Sequence, residues 1–149
     1  MNHLPVIVAA SLATGVVFAE SLPLYEQPVL KALGQIETGE QDFAVGLLGE
    51  KSRYQIRAMT WKENSNKPYA YSYKPEVAAA VALNYLNRLS NMYYTSQHKR
   101  PTELDLYIMW NWGFNNYARV NFDFARAPHS SRDAAQRFAN LIYKFNSKN

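Results

Sequence analysis

Apolar residues recur along much of this chain at intervals of three and four, the spacing of one helix face. Val29, Leu33 and Ile36, with Leu30 beside them, form such a stripe. Pro28 suits a first helical turn, where its missing N–H is no loss. A helix is therefore predicted over Leu24–Glu37, stopped by Gly39. A second helix opens at Pro75 and carries Val77, Val81, Tyr85, Leu89 and Met92 on one side. Its alanines (Ala78, Ala79, Ala80 and Ala82) favour helix and let a neighbour pack closely. A third starts after Pro101, where Thr102 and Asp105 have capping-box spacing; it turns Leu104, Ile108 and Met109 inward and reaches Gly113. The last opens with a second such pair, Ser130 and Asp133, and its face carries Phe138, Leu141, Ile142 and Phe145.

Between the first two helices this period is lost. Residues 38–53 hold Gly39, Gly46 and Gly49 and read as irregular or weakly stranded. Tyr54–Arg57 reads as a short extended piece followed by a turn towards Trp61, and the polar run Lys62–Lys74 reads as a loop. The chain has no internal repeat or low-complexity tract. The expected fold class is α+β, predominantly helical, with one small irregular or β lobe.

Composition narrows the chemistry. At 149 residues the chain suits one domain. It has no cysteine, which excludes disulfides, thiolate metal sites and a cysteine nucleophile. A formal charge of +4 suits an acidic polymer without choosing among nucleic acid, anionic lipid and cell wall. The basic residues are spread out, with only Lys99–Arg100 adjacent, so nucleic acid ranks low. His3, His98 and His129 have no metal-ligand spacing, and no metal or cofactor is implied. Ser130–Ser131 beside His129 are read as helix capping rather than as a nucleophile and its base. Eleven Tyr, seven Phe and three Trp are many for a small domain, and flat rings line grooves as well as cores.

The first nineteen residues stand apart. Leu4 to Phe18 carries no charge, and Val17–Phe18–Ala19 has the small-x-small form of a cleavage site. The run is shorter than the roughly 20 residues that span a bilayer. Residues 1–19 are therefore read as a signal peptide and residues 20–149 as the folded domain. The domain is expected to be exported, to the periplasm or out of the cell, without stable membrane insertion.

Three clusters then follow in order. They are Ile36-Glu37-Thr38-Gly39 at a helix end, Ser52-Arg53-Tyr54-Gln55-Ile56 with its glutamine eighteen positions after Glu37, and Trp110-Asn111-Trp112-Gly113 closing the third helix. This set resembles the lysozyme-like superfamily, most closely the soluble lytic transglycosylase domain, with its Glu-Ser, Gly-Leu-Met-Gln and Ala-Tyr-Asn-Ala-Gly motifs. Tyr54-Gln55-Ile56-Arg57 with Trp61 also resembles the Tyr-Gln-Ile variant of invertebrate-type lysozymes and their bacterial relatives. The resemblance covers about Val29 to Ile142.

It implies a lysozyme-like domain acting on peptidoglycan glycan strands as a monomer, with Glu37 as the single catalytic acid. It further implies that Gln55 and Asn111 orient acetamido groups, that Tyr54, Trp110 and Trp112 offer ring faces to the glycan, and that Thr38 and Gly113 complete the site. The chain departs from the pattern at several points: Thr38 stands for serine, Ser52 for glycine, and Trp110 and Trp112 for tyrosine and alanine. Phe138 stands where many transglycosylases have a tyrosine whose hydroxyl serves the catalytic carboxyl, leaving Tyr54, Tyr117 and Tyr143 as candidates to replace it.

Such chemistry suits these residue types. Glycosidic cleavage needs a proton on the leaving oxygen while positive charge grows on the sugar. A glutamate supplies it only if apolar surroundings hold its pKa up, and the negative end of a helix dipole pushes the same way. A transglycosylase manages with one carboxyl, whereas a hydrolytic muramidase uses a second, for which Glu40, Asp42 and Glu50 are the candidates. A wall-binding protein without turnover is the third reading.

Overall fold

Pro28 opens α1 (Pro28–Thr38), and Gly39 ends it in the left-handed conformation at φ 67°, where a side chain is strained. The structure, a computed structural model, describes residues 22–147, so the predicted signal peptide at 1–19 lies outside the described residues. Five more helices follow: α2 (Ala58–Asn64), α3 (Pro75–Gln97), α4 (Glu103–Asn111), α5 (Phe114–Arg119) and α6 (His129–Asn146). Short 3-10 turns stand at Leu24–Glu26, Tyr69–Tyr73 and Phe124–Arg126. No described helix is long and apolar enough to cross a membrane.

The protein is predominantly helical. Among the described residues the expected β lobe reduces to two isolated antiparallel bridges, Val45 with Lys51 and Lys51 with Ile56. Three glycines and a run of turns leave no stretch long enough for a paired strand, and Tyr54 and Gln55 lie in a turn rather than in an extended piece. The lobe is held by side chains instead. The buried Arg53 donates to both oxygens of Asp42, at 2.6 and 3.1 Å, and its guanidinium lies 4.9 Å over the Tyr25 ring. Tyr69 donates its hydroxyl to Ile56 O at 2.7 Å and Gly49 O at 3.1 Å, pinning the lobe to the 3-10 turn.

The core lies where α6 packs along α1 and α4, with α3 crossing behind. Leu30 and Leu33 of α1, Leu89 of α3, Ile108 and Met109 of α4 and Phe138 of α6 are all fully buried or nearly so. The four predicted helices exist, the first beginning at Pro28 rather than Leu24, and the Thr102–Asp105 capping box forms with both reciprocal bonds. Ser130–Asp133 does not form a box. Pro128 takes the N-cap position and α6 starts at His129, so Ser130 falls inside the first turn rather than at its boundary, and no side-chain cap bond forms. Helix α2 replaces the predicted turn and loop around Trp61, whose fully buried indole donates to Lys67 O at 2.7 Å.

Candidate active site

Helix α1 delivers Glu37 one residue before its end, so the carboxyl leaves the core at the lip of a cleft. That cleft, about 820 Å³, runs between the lobe and the α3–α4 side of the molecule. Gly46, Glu50, Gln55 and Arg57 form one wall; Tyr85, Trp110, Asn111 and Gly113 form the other. Tyr85 and Trp110 pack ring against ring at 5.1 Å, building a broad aromatic face from two different helices.

Glu37 Oε1 accepts a hydrogen bond of 2.8 Å from the Tyr107 hydroxyl. Burial pushes the carboxyl above its ordinary pKa, and the Tyr107 bond, which favours the ionised form, opposes that without cancelling it. Tyr107 itself is buried, its ring packed 5.3 Å from Phe138, and loss of hydration holds its hydroxyl protonated far above the usual range. The hydroxyl that serves Glu37 thus comes from α4, from a residue outside the three sequence clusters. Tyr54 is fully buried, Tyr117 donates to Asp105 at 2.7 Å, and Tyr143 is largely exposed, so none of the three serves Glu37. A helical signal for Tyr107 existed: it precedes Trp110 by three residues and Asn111 by four, the spacing of one helix face.

Of the candidate second carboxylates, Asp42 and Glu40 lie with Arg53, outside the cleft, at 2.6 and 4.0 Å. Glu50 lines it. Backbone N–H groups at Glu50 and Leu48, with Arg57 at 3.1 Å, hold the Glu50 carboxyl below its ordinary pKa. The cleft therefore holds two carboxyls whose surroundings push them in opposite directions, one toward the acid and one toward the anion. Gly46 makes this convergence possible. A Cβ there would come within 2.5 Å of Glu50 Oε2 and closer still to Gln55 Oε1.

Gln55 sits at φ 50° and Ser52 at φ 70°, both in the left-handed region that β-carbons disfavour. Ser52 thus accepts backbone strain that a glycine would avoid. Its carbonyl takes the Gln55 side-chain N–H₂ at 2.9 Å, which turns the Gln55 amide oxygen toward the cleft as a free acceptor. Asn111 is arranged the other way round. Its Oδ1 accepts from Ser131 at 2.6 Å, leaving its N–H₂ to donate. An acetamido group offers one N–H and one carbonyl, and these two amides offer the matching acceptor and donor. Ser131 so acts as an orienting group for Asn111 rather than as a cap.

Two predicted contacts fall elsewhere. Thr38 turns from the cleft to donate to Arg53 O at 3.1 Å and to accept from Gln41 N at 3.0 Å. Tyr54 is buried beneath the lobe, against Gly34 of α1, and offers no ring face to a ligand. Both join the lobe to α1 instead. Gly113, at φ 98°, lines the cleft, and so does Trp112, the other tryptophan expected to offer a ring face. Comparison of the chain with family models, with curated proteins and with solved structures returns no match.

Proposed function

We propose that the Glu37 cleft cuts the glycan strands of peptidoglycan, between N-acetylmuramic acid and N-acetylglucosamine, in the manner of a lysozyme-like lytic transglycosylase. Glu37, its pKa raised by burial, gives its proton to the bridging oxygen as the glycosidic bond breaks. The sugar's own 6-hydroxyl then attacks the anomeric carbon and returns its proton to Glu37, closing an anhydro ring without water. Gln55 and Asn111 hold an acetamido group, and the Tyr85–Trp110 face carries the sugar rings. The observation that carries this reading is the half-buried Glu37 carboxyl, raised in pKa and held by Tyr107 on the wall of an open, aromatic-sided cleft. The activity requires export, in keeping with the signal peptide read at 1–19.

A hydrolytic muramidase is the second reading, favoured by one observation: Glu50 stands ionised in the same cleft, where it can steady positive charge or activate water. Mass spectrometry of digested sacculi separates the two. Anhydro-muropeptides from wild type and from Glu50→Gln support the transglycosylase, while reducing ends that vanish in Glu50→Gln support the muramidase. If wild type and Glu37→Gln release the same amount of product, neither reading stands. Sacculi bound but never cut by either protein would leave a wall-binding domain.

A further inference from the structure

The depression at Glu37 does not end at Gly113. Tyr85 and Gly113 also border a second hollow of about 480 Å³, together with Phe114 and Asn116. Arg88, Met92 and Phe114 carry that hollow into a third, of about 640 Å³, laid along the outer face of α3. Each step shares lining residues with the one before, so the three form one continuous track from Glu37 along the helix.

The residues of that face are unusual for their place. Asn84, Asn87 and Asn91 recur at intervals of three and four, so their side chains stand in one line. Asparagine is among the poorer helix formers because its side chain competes for backbone hydrogen bonds. The opposite side of α3 follows the rule, with buried Ala78, Ala82, Leu86 and Leu89. All three asparagines are exposed; Asn84 donates to Asn64 O at 3.1 Å, whereas packing does not account for Asn87 and Asn91. From Asn84 to Asn91 the helix advances about 10 Å, enough for successive units of a chain rather than for one small ligand.

The chemistry of the face selects the ligand. A primary amide both donates and accepts, which matches sugar hydroxyls and acetamido groups equally well. The cation within the row, Arg88, is paired with Glu63 at 2.8 Å, so the face lacks the free positive stripe that a phosphate backbone needs. Phe114 stands at the junction with its ring set against Phe122 at 5.4 Å, a fixed surface at the point where the track turns onto α3.

We propose that the asparagine face of α3 is an auxiliary binding tract for N-acetylated glycan, receiving the part of a strand that runs on past Gly113. This rests on the reading of the Glu37 cleft as a glycan cleft, and it adds a preference for long strands over short ones.

The test uses the full chain carrying Glu37→Gln, so that bound strands stay intact, with and without Asn87→Ala and Asn91→Ala. Alanine is the better helix former at exposed positions, so the added substitutions preserve the fold, checked by circular dichroism melting. The probes are a four-sugar N-acetylated oligomer and peptide-free glycan strands of more than ten sugars, titrated by calorimetry. The expected result is equal binding of the short oligomer and about tenfold weaker binding of the long strands to the alanine variant. Long strands bound equally well by both proteins would overturn the tract and leave the cleft reading intact. Equal weakening for both lengths would also overturn it, since the asparagines would then act on the cleft itself. Failure of the Glu37→Gln parent to bind either probe would bring down both readings.

Discussion

Tyr107→Phe isolates the group that tunes Glu37. The substitution keeps the ring that packs 5.3 Å from Phe138 and deletes only the hydroxyl that donates to Glu37 at 2.8 Å. A hydrogen bond to a charged group contributes about 1.5–3 kcal/mol and one to a neutral group about 0.5–1.5 kcal/mol. The hydroxyl therefore favours the ionised over the protonated carboxyl by about 1–1.5 kcal/mol. Its loss raises the Glu37 pKa further, because burial then acts unopposed. Glu37 must be protonated to donate, so the alkaline limb of the pH–activity profile moves upward by the same amount. The maximal rate falls about tenfold, since the carboxyl loses the bond that aims it. Carbon-13 NMR titration of the Glu37 carboxyl follows the pKa whether or not turnover survives. A carboxyl that titrates as in wild type, with an unmoved alkaline limb, would refute the assignment of Tyr107 as the tuning group.

Three further outcomes follow from the same geometry. Glu37→Gln abolishes turnover and stabilises the fold at neutral pH. The raised folded pKa means that the contribution of Glu37 is most favourable below the ordinary carboxylate range and is lost as pH rises through the folded value. The melting temperature of the glutamine variant should exceed wild type at pH 7 by on the order of 4 °C and converge with it in acid. Gly46→Ala pushes the ends of Gln55 and Glu50 out of the cleft, so activity falls at least tenfold while urea denaturation shows a loss of only about 1 kcal/mol. Arg53→Met breaks a buried, doubly hydrogen-bonded pair and strands Asp42, so denaturant unfolding should register a loss of about 3 kcal/mol with the lobe opening first in hydrogen exchange.

The four longest helices were legible because each writes its period and most of its punctuation into consecutive residues. Pro28 and Gly39 bracket α1, and the Thr102–Asp105 box opens α4. The short helices were not. Helix α2 has seven residues and one buried side chain, Trp61, so docking of the indole rather than local pattern makes it helical. The same limit explains the second capping pair: Ser130 and Asp133 have the spacing, but whether a serine caps depends on where the helix begins, and with Pro128 as the N-cap it begins two residues early.

The site divides along the same line. Glu37 at a helix end, Gln55 in the lobe and Asn111 with Gly113 closing α4 were readable as local motifs, and all four line one cleft. What surrounds them was not readable, because it comes from residues distant in the chain. Tyr107 lies seventy positions from the carboxyl it serves, and Ser131 lies twenty from the amide it orients. Motif position also mistook Tyr54 and Thr38 for ligand contacts: Tyr54 is buried in the turn that Ser52 and Gln55 make left-handed, and Thr38 bonds the lobe from the end of α1. The sequence by itself determined the four longest helices and which carboxyl stands at a helix end, because propensity, capping and period are local. Only the tertiary structure decided which tyrosine holds that carboxyl, which second carboxylate shares its cleft and which aromatic rings are buried. Those are matters of burial and contact across the chain, and neighbouring residues do not encode them.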